Sequence, residues 1–326
     1  MSLKTLFVMC RESTDHLATC VWDGLQEVLG EENVYDAVGH RYLHSKEMGE
    51  SDWDGRSDRF GAVSVLSGIS ARRPGRYWRR GEGHFDLLVL SSSFCREFDW
   101  DWVRQWYELL AAGAKVAYLE GWDSAYEIHA PRQHVDAVFR KEIGAGAHYP
   151  YDCRHLTFAF PSRWSDPSDR TVERPWDFFY SGTVTSNGCR LPMLSALFGA
   201  RLPHRSLVAT EKMGLAVPDY FMCYRRAKLA LCPASQEGAD SLRTYEAISC
   251  GAVPLFVGYP SWRREEWFVG TQCFQCFSAG EVAAHVDAAL GRDLPAMRNA
   301  LLDHALAHHT TAARARKILA VLGVSP

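Results

Sequence analysis

Residues 3–9 form a short, continuous apolar run, and residues 15–29 then place Leu17, Val21, Leu25, Val28 and Leu29 at a helical period. A run that is apolar on both faces suits a strand covered by helices from two sides, as in a parallel sheet. The same unit recurs. Residues 85–90 read as a second buried strand and residues 115–119 as a third. Between them, residues 102–112 read as an aromatic-rich helix, with Asp99 and Asp101 before its first turn and Gly113 at its end. From residue 177 the alternation restarts, with strands predicted over 177–182, 206–209, 228–233 and 252–257, helices over 191–199 and 239–249, and residues 220–227 leading into the strand at 228. Strands that alternate with helices confine the chain to an α/β fold built on parallel sheets.

At 326 residues the chain is long enough for two domains. Residues 161–176, with three prolines among polar side chains, read as the linker, which leaves 1–160 and 177–326 as two Rossmann-like domains facing a cleft. Hydrophobic residues make up 47% and charged residues 23%, a balance that excludes a disordered or fibrous protein. The formal charge of −3 excludes a general polyanion binder. It conceals one local cluster, residues 72–80, where five arginines alternate with Tyr77 and Trp78. Such a segment can grip phosphates and stack on bases or sugar rings, so Arg76, Arg79 and Trp78 are candidates for acceptor contact; a solvated loop is the plainer reading.

No apolar stretch reaches the roughly 18 to 20 residues that a membrane span requires. The first residues read as a strand and not as a signal peptide, and the ten cysteines are scattered, so a cytoplasmic protein with reduced thiols is expected. Cys273 and Cys276 have metal or redox spacing but no second pair, and they read as small apolar residues of a strand. His304, His308 and His309 read as the polar face of a helix. Asp52-Trp-Asp54 and Asp99-Trp-Asp101 look like metal-binding strings, yet chance explains the first and helix capping the second. Neither a metal nor a cofactor is expected.

Chemistry concentrates in residues 228–257: a buried strand, a small polar loop, a helix, a stop at Gly251 and a second buried strand. Ligands of open α/β sheets bind beyond the carboxyl ends of the strands, where loop 234–240 and the first helical turn fall. There Ser241 can donate, backbone amides and the helix dipole favour an anion, and Arg243 adds a planar fork suited to a diphosphate. Glu246, three residues on, can accept from both hydroxyls of a ribose. The same spacing also permits a plain Arg243–Glu246 ion pair on an exposed helix face.

The run Cys232-Pro233, then Ser241-Leu-Arg243-Thr-Tyr-Glu246-Ala247, then Gly251-Ala-Val-Pro254, resembles the donor-binding signature of GT-B fold glycosyltransferases, particularly the exostosin-like group and bacterial family 1-like members. The resemblance implies that Arg243 serves the diphosphate and Glu246 the ribose of a nucleotide sugar such as a UDP-sugar. It also makes Asp177-Phe-Phe-Tyr-Ser-Gly182-Thr183, with Arg190, the opening strand and loop of the donor domain, where backbone approaches the phosphates at Gly182 and Arg190 neutralises them. Many retaining members carry a first Glu eight residues before the second; here that position is Gly238, and Glu237 is the nearest carboxylate.

In such proteins the N-terminal domain binds the acceptor and a final helix packs back on it, a role open to residues 311–322. The implied activity is metal-independent transfer of a hexose or pentose to an acceptor hydroxyl on a glycan, a metabolite or a modified nucleic-acid base. A non-catalytic nucleotide-sugar-binding scaffold is the alternative. An inverting mechanism needs a base. Asp15, His16, Glu120 and Asp123 follow first-domain strands, and Asp123 and Asp15 are the candidates, with a helix cap as the other reading of Asp15.

Overall fold

The computed structural model describes residues 3–9, 15–37, 76–77, 84–92, 110–121, 134–143, 148–149, 151–182, 189–200, 206–209, 217–234, 241–258 and 271–326. The chain divides into two units, Met1–Pro161 with Thr310–Pro326, and Ser162–His309. Strands of the first unit are β1 (Thr5–Val8), β2 (Val34–Asp36), β3 (Arg76–Tyr77), β4 (Leu87–Ser91), β5 (Lys115–Glu120), β6 (Ala137–Arg140) and β7 (Cys153–His155). Those of the second are β8 (Trp176–Ser181), β9 (Ser206–Ala209), β10 (Ala227–Pro233), β11 (Val253–Val257) and β12 (Phe274–Cys276). The described helices are α1 (His16–Leu29), α2 (Arg190–Gly199), α3 (Val217–Arg225), α4 (Leu242–Ser249), α5 (Val282–Leu290), α6 (Leu294–His308) and α7 (Thr311–Leu322).

The first sheet is parallel throughout, in the order β3-β2-β1-β4-β5-β6-β7. Its topological switch falls between β1 and β4, where the strand order reverses. One face of the sheet packs Leu6, Val8, Leu88, Leu90, Tyr118 and Val138 into a buried core. On the other, Phe7 meets Trp22 of α1 edge to face, with ring centroids 5.5 Å apart.

Helix α7 completes this unit against α1. A Cβ on Gly24 would collide with the carbonyl of Thr311, so only glycine lets the two backbones come this close. Thr311 donates its hydroxyl to Asp23 at 2.6 Å, and its amide bonds the carbonyl of Phe160 at 2.9 Å beside the single bridge Phe160–Thr310. Arg314 of α7 donates from Nε to the Phe158 carbonyl at 3.3 Å.

In the second unit all strands are again parallel, in the order β12-β11-β10-β8-β9, and the switch lies between β8 and β10. Phe178, Tyr180, Leu229, Leu231, Val253 and Leu255 from the strands and Met193, Leu194 and Leu197 from α2 build its core. The prolines of 161–176 suggested a tether, but residues 162–176 are bound into this unit. Buried Arg174 donates to the carbonyls of Tyr224, Ala227, Asp169 and Cys250 at 2.7–3.0 Å, and buried Asp169 accepts from Arg225 at 2.9 Å. Burial, followed by the charge of Arg298, pulls the Arg174 guanidinium down to about 9.

Several sequence expectations need adjustment. The helix predicted from 239 begins at Leu242, because Ser241 is extended at φ −123° and takes the N-cap position. Residues 76–77, read as part of a loop, form the edge strand β3 beside β2. Strands β2, β6 and β7 were not predicted. The described cysteines are free thiols, and no helix among the described residues is long and apolar enough to cross a membrane.

Candidate functional site

At the β8/β10 switch of the second unit, β8 ends at Ser181 and Gly182 follows it, β10 ends at Pro233, and β11 ends at Val257. Helices α2 and α4 start at the same end of the sheet. The first is fixed there by Cys189, its N-cap residue, whose thiol donates to the Val257 carbonyl at 3.1 Å and lies against Gly258. Gly258 has φ +76°, a left-handed conformation that a side chain would strain. Arg190 is therefore the first helical residue of α2 and is buried at 8% exposure. Ser241 caps α4 by position, yet its hydroxyl makes no capping hydrogen bond, which leaves that donor for other use.

Gly182 brings these groups together. A Cβ built there would stand 2.6 Å from the Tyr180 hydroxyl and 3.3 Å from Nη1 of Arg243. Tyr180 is buried at 1% exposure, and among the described residues its hydroxyl has no hydrogen-bond partner. Burial raises its phenol above the ordinary range, against the pull of Arg190 and Arg243, both near enough to act on it. Every group at this point is a hydrogen-bond donor, and two carry fixed positive charge.

Below it lies an acidic, aromatic floor. Glu246, 3% exposed on α4, accepts from the Tyr220 hydroxyl of α3 in a short hydrogen bond, and Tyr220 in turn faces the Tyr224 hydroxyl at 3.4 Å. Burial pushes the Glu246 carboxyl up to about 7, although the hydrogen bond from Tyr220 and the charge of Arg243 both oppose the rise. Burial alone would lower the Arg243 guanidinium, but Tyr220, Tyr224, Glu246 and Tyr180 around it hold it above its usual value. The Arg243–Glu246 pair thus sits on an inward face of α4 and not on the exposed face that spacing alone allowed.

The remaining expectations divide three ways. Thr183, Glu237, Asp123, Trp78 and Arg79 lie outside the described residues, and of Arg76 only the strand backbone is described. Asp15 is described in full and caps α1: Oδ1 accepts from the amide of Ala18 at 2.9 Å and Oδ2 from the hydroxyl of Ser91 at 2.6 Å. Burial raises its carboxyl even so. Its two oxygens are committed to holding α1 to the end of β4, and Gly121 packs so tightly on it that a Cβ would collide with Oδ1. Sequence gives Tyr180 and Tyr220 no role; both look like core aromatics in apolar runs, and only Arg243 beside the first and Glu246 bonded to the second set them apart.

Among the described residues one cluster could offer ligands to a metal: Cys276, Glu281 and His285 have donor atoms within 4.8 Å of one another. It uses one member of the Cys273/Cys276 pair, and the Cys276 carbonyl accepts from the amide of Gly258 at 2.8 Å. The Cys276 thiol donates to the Ser278 carbonyl at 2.8 Å, and burial pushes it up to about 11. In α6, the rings of His304 and His308 stand 4.8 Å apart, one turn along the helix, and His304 Nε2 lies 3.2 Å from His309 Nε2.

Residues 192–320 match a family model described as glycosyl transferase-like. No curated protein matches the chain. Among solved structures, HepE of Anabaena, crystallised with UDP, superposes with a TM-score of 0.60 at 11% identity, over 98% of this chain and 100% of that one. A glycosyltransferase from Rickettsia africae gives 0.55 at 11% identity, over 99% and 98%. The N-terminal domain of a trehalose-6-phosphate phosphatase from Candida albicans gives 0.54 at 10% identity, over 100% and 98%. At these identities the likeness is one of fold, and the fold is the α/β arrangement expected from the sequence.

Proposed function

We propose that this chain, a GT-B fold protein with a glycosyl transferase-like segment over 192–320, moves a sugar from a nucleotide-diphosphate sugar to an acceptor hydroxyl. The observation that carries the reading is the convergence of Arg243 and Arg190, with a glycine between strand and loop, at the topological switch of the second unit. In such a transfer the acceptor oxygen bonds to the anomeric carbon while the bond from that carbon to the diphosphate breaks. Negative charge grows on the departing diphosphate, and fixed guanidinium groups in a water-poor site stabilise it as it forms.

Arg243 supplies a bidentate fork to that diphosphate, Arg190 a second charge, Gly182 room for close approach, and Ser241 a hydroxyl at the start of α4. Glu246 meets the ribose through Oε1, since Oε2 is taken by Tyr220. Thr183 and Glu237 extend the same site by their places in the sequence. The neighbours solved with UDP or UDP-glucose support a uridine nucleotide as the first donor to try. Asp123 stands as the acceptor-side base, the arginine-rich segment with Arg76, Trp78 and Arg79 as the acceptor contact, and a glycan, a metabolite or a modified base as the acceptor.

Calorimetry with UDP and UDP-sugars tests the reading. Arg243→Ala is expected to weaken nucleotide affinity about 100-fold, because a partly buried charged donor is removed from a diphosphate. Equal affinity in the variant, or no nucleotide binding by the unmodified protein, would remove it.

A further inference from the structure

The Tyr180 hydroxyl is a buried polar atom without a partner among the described residues, and such atoms are uncommon because each forfeits a hydrogen bond to water. The guanidinium of Arg243 stands beside this hydroxyl at Gly182, the charges of Arg190 and Arg243 both act on it, and a guanidinium has no lone pair to accept the phenol's proton. Tyr180 stands on β8 two residues before Gly182, so its hydroxyl reaches the carboxyl end of the strand, over a backbone position that carries no side chain.

We infer that Tyr180 is a donor-site ligand: its hydroxyl hydrogen-bonds a diphosphate oxygen of the nucleotide sugar, an acceptor that Arg243 and Arg190 share. The inference rests on the proposed function and adds to it a neutral, directional donor. An oxyanion is the one partner that suits all three groups together. It accepts from the phenol, offsets two positive charges, and is slim enough to approach where Gly182 has no Cβ. A neutral sugar hydroxyl would accept from Tyr180 but bring no negative charge to the two guanidiniums. A purely structural role fails on a different count, since a tyrosine that only fills the core needs no hydroxyl, and phenylalanine would serve better there.

Tyr180→Phe tests this with little risk to folding, because it removes one oxygen and no ring atom. UDP, ADP, GDP and inorganic pyrophosphate are titrated by calorimetry into both proteins, with uridine as the phosphate-free control, and the unliganded melting temperatures are compared. The expected result is a loss of about tenfold or more in affinity for the diphosphates. Uridine affinity should be equal in the two proteins, and the variant's melting temperature equal or higher. Unchanged diphosphate affinity, or an equal loss for uridine and UDP, would overturn the assignment while leaving the proposed function intact. A clear drop in melting temperature with unchanged affinity would show that the hydroxyl has a protein partner. If the unmodified protein binds none of the four phosphate probes, the proposed function and the inference fall together.

Discussion

The two sheets reverse their strand order at equivalent places, β1/β4 in the first unit and β8/β10 in the second, and the two places are filled in opposite ways. At the first stands an acceptor, the carboxylate of Asp15, already satisfied by the Ala18 amide and the Ser91 hydroxyl and walled in by Gly121. At the second stand donors: the Tyr180 hydroxyl and the guanidiniums of Arg190 and Arg243, with the hydroxyl and Arg243 brought against Gly182 and no acceptor shown for the phenolic proton. Topology decides where an α/β sheet can hold a ligand. Whether that place is closed or receptive depends on whether the chain supplies donors and acceptors in matched numbers.

The contrast can be broken by substitution. The largest stability effect is expected from Asp15→Ala, which removes the helix cap at Ala18 and the bond from Ser91 and should lower unfolding free energy by about 3 kcal/mol in urea titration. Nucleotide affinity should be unchanged. A variant with intact stability but no transfer activity would instead make Asp15 a catalytic base and reverse the comparison.

The two glycines give a matched pair of smaller effects. Gly121→Ala presses a methyl into the Asp15 carboxylate and should cost about 1 to 3 kcal/mol of stability with little change in UDP binding. Gly182→Ala crowds the Tyr180 hydroxyl and Arg243 and should weaken UDP about tenfold, with the smaller loss of stability. If both act alike, the second centre is as closed as the first.

The smallest effect concerns pH. Glu246 rises from 4.5 to about 7 in the folded protein, so the native state holds its proton longer than the unfolded chain does. The stability that this proton contributes is full below the unfolded value and is lost as pH climbs through 7. The melting temperature is therefore expected to fall by several degrees between pH 5 and pH 8, and Glu246→Gln should flatten part of that fall. An identical pH profile in the variant would place the titration elsewhere.

Strands such as β1, β4, β5 and β11 were legible because unbroken apolar runs of that length have few other uses in an α/β protein. β2 and β6 were not, since three or four residues that include Asp36 or Arg140 give no periodic signal. Arg243 and Glu246 could be proposed from residue type and spacing within one strand-loop-helix unit, and Gly182 from the family resemblance. Tyr180 could not, because in Phe178-Phe179-Tyr180 it is indistinguishable from core until Arg243, far along the chain, is set beside it. Asp15 shows the same limit from the other side. Local sequence allows it to be a cap or a base, and the partner that decides, Ser91, lies 76 residues away.

The glycine contact between α1 and α7 has a consequence for the order in which the protein is made. The surface of α1 around Gly24 is covered by residues that leave the ribosome only after the whole of the second unit has been synthesised. Domains fold largely as units during synthesis, so the second unit can finish first while the first waits with one helix face uncovered. The unit that begins the chain is the last to be completed.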